Sequence, residues 1–279
     1  MADSFGLAAD QLRELDRDRY AASLMIPAKH RAAVQAIFAF SAEIAAIRER
    51  VSEPGPGDIR LQWWVDALEG EGHGAIARNP TADALLKTLQ DYQLPAGPLV
   101  RLLAARRFDL YSDSMPDIGQ FEGYAGETVS VLYQYAAMIL AGGPAEAAAD
   151  AAGHLGVAQA LVGHLRAFGY NAARGQLFLP LSVFTAHGVR EADIHAGTDS
   201  EGLRAALGQI RDLAGVHAGK ARAAIDGLDG TLKPAFAGIA LVEADLKKAG
   251  RVADPFAGQP VPAAFGRLWA LTWWTLRNG

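Results

Sequence analysis

Two arginines, Arg166 and Arg174, are the side chains whose type and surroundings best suit the binding of an anion. They lie in a long stretch, between Asp150 and Glu191, that contains no Asp or Glu. A guanidinium can hold a phosphate or a carboxylate through two parallel hydrogen bonds. Both arginines are therefore candidates for binding an anion. The alternative is a structural role, in which each pairs with an acid from elsewhere in the chain.

An acidic pair, Glu49 and Glu53, is the candidate for a divalent cation. The two carboxylates are one turn apart if the segment is helical, and carboxylate oxygens are the ligands that Mg²⁺ prefers. The acid-free stretch offers them no acidic partner on a second helix, which makes the pair a weak metal candidate. The alternative is a solvated helix end that pairs with Arg48, Arg50 or Arg60.

The sequence lacks the signatures of several common enzyme classes. It has no cysteine, which excludes disulfides and thiolate metal sites, and no Gly-x-Ser-x-Gly, P-loop or Gly-x-Gly-x-x-Gly motif. His154 and His164 are ten residues apart with no third ligand at a usual spacing, so we expect no metal centre. A net charge of −5 argues against binding to nucleic acid and against bulk attraction to anionic lipid.

Helices must position these side chains, because apolar residues recur at helical spacing almost everywhere and no strand pattern is convincing. Ile37, Phe40 and Ile44 share one face of a helix predicted at 29–51, whose other side is also apolar. Prolines and glycines separate about ten such segments. We predict an all-α protein in which residues 1–279 form one domain, a helical bundle around a central apolar cavity. A simply well-packed core is the alternative.

Two segments resemble the signatures of the squalene/phytoene synthase family. The second signature of that family reads roughly Leu-Arg-Asp-x-x-x-Asp before Arg-Gly and Leu-Pro, and its aspartates hold the magnesium that binds the substrate diphosphate. Here Ala167 and Asn171 stand at the two aspartate positions. In the first signature, matching Ala-Phe at 39–40 places Ala45 and Ala46 on the aspartate pair and Glu49 on the last acid. The resemblance implies an isoprenoid-synthase-like fold without its metal ligands.

In detail the chain is most similar to the non-enzymatic branch of that family, the NADH:ubiquinone oxidoreductase (complex I) assembly factor 6 proteins and their bacterial relatives. The match includes Val-Ser-Glu at 51–53 and Arg-Leu-Gln-Trp-Trp at 60–64. The resemblance implies a non-catalytic protein that assists assembly of respiratory complex I, with complex I subunits or assembly intermediates as partners. No cofactor is then expected.

Two alternatives remain open from the sequence. The first is a prenyltransferase that condenses two prenyl diphosphates head to head, with Mg²⁺ held by Glu49, Glu53 and Glu127. The second is a carrier that keeps the apolar cavity and binds an isoprenoid or another lipid without chemistry. The carrier role is compatible with assistance in complex I assembly.

The ends of the chain bear on its location. Residues 1–20 are acidic and lack the pattern of a signal or transit peptide, and no apolar run is long enough to cross a bilayer. We expect a bacterial protein of the cytoplasm, in peripheral contact with the inner membrane at most. Trp269, Trp273 and Trp274 near the C-terminus are expected to close the core. Docking to a membrane interface or a partner is the alternative.

Overall fold

The computed structural model describes residues 3–71, 78–249, 254–257 and 264–278, and in these ranges the regular structure is entirely helical. This confirms the all-α prediction. The expectation that residues 1–279 form a single domain includes residues outside the described ranges and stays a prediction. No helix in the described part of the chain is long and apolar enough to cross a membrane.

The α-helices are numbered here in chain order. They are α1 Ser4–Leu15, α2 Arg17–Ser23, α3 Ala28–Ala45, α4 Pro54–Glu69, α5 Pro80–Asp91, α6 Gly97–Arg106, α7 Ile118–Ala125, α8 Val131–Ala141, α9 Ala149–Arg166, α10 Phe168–Ala173, α11 Leu181–Ala186, α12 Glu191–His195, α13 Glu201–Asp226, α14 Ile239–Ala249 and α15 Ala264–Asn278. Short 3-10 turns lie at Ile47–Glu49, Arg107–Leu110, Glu146–Ala148 and Lys233–Phe236. A π-helical segment, Gly126–Ser130, joins α7 to α8. The sequence predicted fewer helices because α2, α10, α11 and α12 are too short to show a helical period.

Helix α3 is buried on both sides, as its sequence predicts, but it ends earlier than predicted. Ile37, Phe38 and Phe40 are all buried although they point in different directions around the axis. The predicted helix at 29–51 is wrong beyond Ala45, where the chain leaves α3 and forms the 3-10 turn Ile47–Glu49. α3 therefore crosses the interior, and the turn that follows it lies beside the cavity within the bundle.

Glu53 does not continue α3, which corrects the predicted spacing of the acidic pair. It is the N-cap of α4, with φ −135° and ψ 154°, and Pro54 follows it. A residue before proline is driven out of the α-helical region by contact with the proline ring, so the break is local in origin. Glu49 and Glu53 are consequently not one helical turn apart on a common face.

The small residues of α9 serve two purposes. A Cβ atom added at Gly156 would lie 2.5 Å from the backbone N and Cα of Ser130, so only glycine allows the π-helical segment to approach α9 this closely. Gly163 has no atom within 4 Å of such a Cβ, and it lines a cavity instead. Glycine thus allows close packing of α9 at Gly156 and leaves free space beside it at Gly163.

Candidate functional site

A cavity of about 410 Å³ lies in the interior of the bundle, with walls from α2, α3, α9, α10, α14 and the π-helical segment. One part of its lining is apolar and includes Ala22, Ile26, Phe38, Val129 and Val242. Another part is charged and consists of Asp16, Asp18, Arg19, Arg48, Glu49, Arg106, Asp109, Arg166 and Asp245. Phe38 belongs to the second apolar side of α3, away from Ile37 and Ile44, so this side of the helix lines the cavity.

The cavity brings together five of the eight residues that the sequence singled out. The residues in its lining are Ala45, Glu49, Arg166, Ala167 and Asn171. The remaining three, Ala46, Glu53 and Arg174, are not part of it. Glu53 is exposed and Arg174 lies at the rim, with its guanidinium 5.3 Å from the ring centre of Tyr170. The two segments that resemble the family signatures thus both line this cavity.

The residue that joins the two segments is Arg48. Its Nη2 atom donates hydrogen bonds to Oδ1 of Asn171 at 3.0 Å and to Oε1 of Gln176 at 2.6 Å. Its Nε atom donates to Oε1 of Glu49 at 3.0 Å, and the guanidinium lies 4.6 Å from the ring centre of Phe178. The side chain of Arg48 is 13% exposed and contacts these four residues. A positive charge of the protein itself therefore sits between the first and second signature positions.

Glu49 is engaged by the same group of residues. Tyr170 donates a hydrogen bond to its Oε2 atom at 2.6 Å, and Arg174 approaches that oxygen to 3.6 Å. Partial burial by itself would raise the pKa of Glu49. The hydrogen bond from Tyr170 and the charges of Arg48 and Arg174 outweigh burial, so the pKa lies below its usual value. The carboxylate is ionised, and both of its oxygens already have internal partners.

A second arginine of the lining, Arg106, is part of a closed buried triad. Its Nη1 atom donates to Oδ2 of Asp109 and to the hydroxyl of Tyr124, both at 2.9 Å. The Tyr124 hydroxyl in turn donates to Oδ1 of Asp109 at 2.6 Å. Burial raises the pKa of Tyr124, so its phenol stays protonated. Neither Arg106 nor Asp109 was identified from the sequence.

Both arginines that were candidates for anion binding have acidic partners within the protein, Arg174 with Glu49 at 3.6 Å and Arg166 with two aspartates. Arg166 contacts Asp18 of α2 and Asp245 of α14, each at 3.2 Å. Asp245 is nearly buried and also binds Arg267 of α15 at 2.8 Å. The acids that the segment around Arg166 lacks are therefore supplied by other helices. Binding of an external anion by Arg166 or Arg174 has no support in these contacts and stays a prediction.

The cavity wall carries no excess of positive charge, because its lining has four arginines and five carboxylates. Each of its four arginines has an acidic partner: Arg19 with Asp16, Arg48 with Glu49, Arg106 with Asp109, and Arg166 with Asp18 and Asp245. A site that binds a diphosphate needs an excess of positive charge, from side chains or from metal ions. The arginines that line this cavity provide no such excess, because each is neutralised by its acidic partner.

The residues at the signature positions do not fit magnesium. Alanines at 45, 46 and 167 have no oxygen in their side chains, and the Oδ1 atom of Asn171 already accepts a hydrogen bond from Arg48. Among the residues that the structure describes, no group of three or more His, Asp or Glu is arranged to hold a metal ion. His154 contacts His217 at 3.2 Å rather than His164. A divalent cation would meet the Arg48 guanidinium here instead of paired carboxylates.

His164 was noted in the sequence only as a metal ligand without partners. Its ring stacks on that of Phe178 at a centroid distance of 4.8 Å and faces the cavity. Burial, followed by the charges of Arg106 and Arg48, lowers the pKa of His164 to about 3. The imidazole is therefore neutral at physiological pH and adds no charge to the cavity.

Comparison with known proteins gives consistent matches over most of the chain. The model of the squalene/phytoene synthase family matches residues 12–267. The rat protein NADH dehydrogenase (ubiquinone) complex I, assembly factor 6, is 32% identical over 251 residues, which are 90% of this chain and 75% of the relative. A phytoene synthase from Thermus thermophilus is 30% identical over 238 residues, or 80% of this chain and 73% of the relative.

Solved structures show the same fold. The crystal structure of a squalene synthase from Alicyclobacillus acidocaldarius superposes with a TM-score of 0.75 at 18% identity, covering 89% of this chain and 93% of that one. At this identity the similarity establishes the architecture alone. It confirms the prediction of an isoprenoid-synthase-like helical bundle.

Proposed function

This chain belongs to the squalene/phytoene synthase family, and we propose that it is a non-catalytic member that assists the assembly of respiratory complex I. The observation that carries the first half of the proposal is the position of Arg48, hydrogen-bonded to Asn171 between the two signature segments. The second half is supported by relatives such as the rat complex I assembly factor 6, at 32% identity over 90% of the chain.

The chemistry of prenyl transfer explains why the position of Arg48 matters. Breaking an allylic diphosphate leaves several negative charges on the departing group, which hard divalent cations normally neutralise. Those cations require carboxylate oxygens that converge from two helices. Here the corresponding space holds one guanidinium, already bonded to Asn171, Gln176 and Glu49. A single guanidinium that is paired with Glu49 supplies less positive charge than the divalent cations that such a leaving group needs.

The positions of the remaining candidate ligands argue against the prenyltransferase alternative. Glu127 forms an exposed ion pair with Arg101 at 3.3 Å and does not line the cavity. Glu53 is exposed at the start of α4, and Glu49 is engaged by Arg48 and Tyr170. The three carboxylates do not converge on one point. We propose accordingly that the protein needs no magnesium or other cofactor for its function.

Deletion of the gene in its source organism tests the assembly role. We expect membranes of the deletion strain to lose NADH:ubiquinone oxidoreductase activity and to contain less assembled complex I on native gels. Succinate oxidation by the same membranes is the internal control and should be unchanged. Expression of the wild-type chain should restore both the activity and the complex. Unchanged amount and activity of complex I in the deletion strain would contradict the assembly role.

The cavity itself favours a second, compatible role as a carrier of an isoprenoid or another lipid. Its volume of about 410 Å³ lies within the range of small-molecule sites, and one part of its lining is apolar. Native mass spectrometry of the protein purified from its source organism tests this role. A co-purifying lipid that is lost when Val129 is replaced by Trp would support it. Detection of the unliganded mass alone would argue against it.

A further inference from the structure

Helix α15 presents a continuous apolar stripe to the outside of the protein. Phe265, Leu268, Trp269, Trp273 and Leu276 lie on one side of this helix, and their exposed fractions are 78, 45, 63, 55 and 75%. They make up half of the large hydrophobic side chains that are exposed in the described part of the chain. Single exposed apolar residues are common on soluble proteins, whereas a contiguous patch marks an interaction surface.

The stripe is held in place by the opposite face of the same helix. Leu271 and Trp274 are buried, so the expectation that the terminal tryptophans close the core holds for Trp274 alone. Arg267 is 6% exposed and binds Asp245 of α14 through two hydrogen bonds of 2.8 and 2.9 Å. It also binds Asp18 of α2. Because one face is anchored by buried ion pairs, the other face is presented in a fixed orientation.

Positive charge borders the stripe on one side. A groove that includes Trp273 is lined by four cationic and two acidic side chains, namely Arg222, Lys247, Lys248, Arg277, Asp226 and Glu243. Glu243 is neutralised by Arg222 at 2.7 Å. Within the ranges that the structure describes, Lys247, Lys248 and Arg277 form no ion pair. This border is locally positive although the chain as a whole carries a net charge of −5.

We propose that α15 docks on the surface of an anionic lipid bilayer, with its apolar stripe in the headgroup and upper acyl region. Tryptophan favours this depth because its ring is apolar and its N–H can still reach water or headgroups. Lysines beside such a helix are attracted by anionic headgroups, which gives the bilayer an advantage over an uncharged apolar partner. The surface lies outside the cavity, and the inference is independent of the proposed role in complex I assembly.

Flotation of the full-length protein with lipid vesicles tests the proposal. We expect binding to vesicles of phosphatidylcholine with added phosphatidylglycerol, weaker binding to phosphatidylcholine alone, and partial release by added salt because the charges are screened. The double variant Trp269→Ser/Leu276→Ser should lower partitioning by about tenfold or more, since two large apolar side chains no longer enter the bilayer. The variant Lys247→Gln/Lys248→Gln should lower it by about tenfold on the anionic vesicles only.

Matched variants keep the test specific. Ile59→Ser removes an apolar side chain that is 73% exposed on α4, and it should leave partitioning unchanged. Lys87→Gln removes an exposed lysine of α5 that pairs with Asp83, and it should also have no effect. Absence of vesicle binding by the wild-type protein would overturn the proposal. Sedimentation showing a dimer that the Trp269→Ser/Leu276→Ser variant abolishes would assign the stripe to a second copy and overturn it as well.

Discussion

Replacement of Arg48 by alanine should destabilise the protein far more than loss of an ordinary surface arginine. The side chain is 13% exposed and connects the turn after α3 to α10 and the segment behind it, through Asn171 and Gln176. These partners are more than a hundred residues away in sequence. Arg48 therefore closes a long loop of the chain at the centre of the bundle, and its removal affects the packing of both segments.

The magnitude follows from the contacts that are lost. Hydrogen bonds to a charged group contribute about 1.5 to 3 kcal/mol each, and a partly buried cation–π contact about 1 kcal/mol more. Asn171 is only 5% exposed, so its Oδ1 atom would be left without its partner in a poorly solvated place. Water entering through the cavity offsets part of this cost. We expect a loss of about 3 kcal/mol in the free energy of unfolding, or a melting temperature lower by about 6 °C.

Urea unfolding followed by tryptophan fluorescence measures this loss, and Arg174→Ala is the matched control. Both arginines face Glu49, but Arg174 is 44% exposed and lies 3.6 Å from the carboxylate, so its removal should cost about 0.5 kcal/mol or less. Arg48→Lys should recover only part of the loss because an ammonium cannot reproduce the planar fork that bonds Asn171, Gln176 and Glu49. Equal stability of Arg48→Ala and Arg174→Ala would refute the reasoning.

Three further predictions concern stability. Gly156→Ala should cost about 2 kcal/mol or more because its Cβ would meet the backbone of the π-helical segment, whereas Gly153→Ala, with no neighbour within 4 Å, should be neutral or slightly stabilising in thermal unfolding. Because the pKa of His164 is about 3 in the folded state and 6.5 in the unfolded state, unfolding takes up a proton between these values. The neutral His164 therefore causes no loss in the free energy of unfolding above about pH 6.5, and as pH decreases toward 3 this free energy falls by at most about 1.4 kcal/mol per pH unit. The variant His164→Phe should reduce this dependence on pH when unfolding is measured at pH 7 and pH 5. Asp245→Asn should cost about 3 kcal/mol because it leaves the guanidinium of Arg267 buried with a weakened partner; a midpoint of denaturation equal to wild type would contradict the assigned ion pair.

The sequence predicts the fold well where periodicity is strong. The positions of Ile37, Phe40 and Ile44 predict a helix that is buried on one side, and the apolar residues opposite them predict burial on the other. The end of that helix could not be predicted, because the residues after Ala45 are themselves acceptable in a helix. Contacts of Arg48 with the distant Asn171 accompany the turn, and such tertiary contacts leave no local pattern in sequence.

The sequence predicted the location of the candidate site only through the residues that stand at the metal-binding positions of the family. The family resemblance placed Ala45 and Ala167 on metal-binding positions, and both residues line the cavity. The hydrogen bond from Arg48 to Asn171 was not visible in the sequence, because Arg48 appeared there only as one possible partner of an acidic pair on a helix. The triad of Arg106, Asp109 and Tyr124 was missed as well, since its three members come from separate elements and form no recognised motif.

The most direct test of the central claim is an assay of the purified protein with Mg²⁺ and labelled farnesyl or geranylgeranyl diphosphate. Because Arg48 lies between the two segments that resemble the metal-binding signatures, we expect neither release of diphosphate nor formation of a condensed prenyl product, under conditions in which a phytoene synthase control is active. Turnover above the background of a heat-denatured sample would contradict the claim that this fold has lost its chemistry.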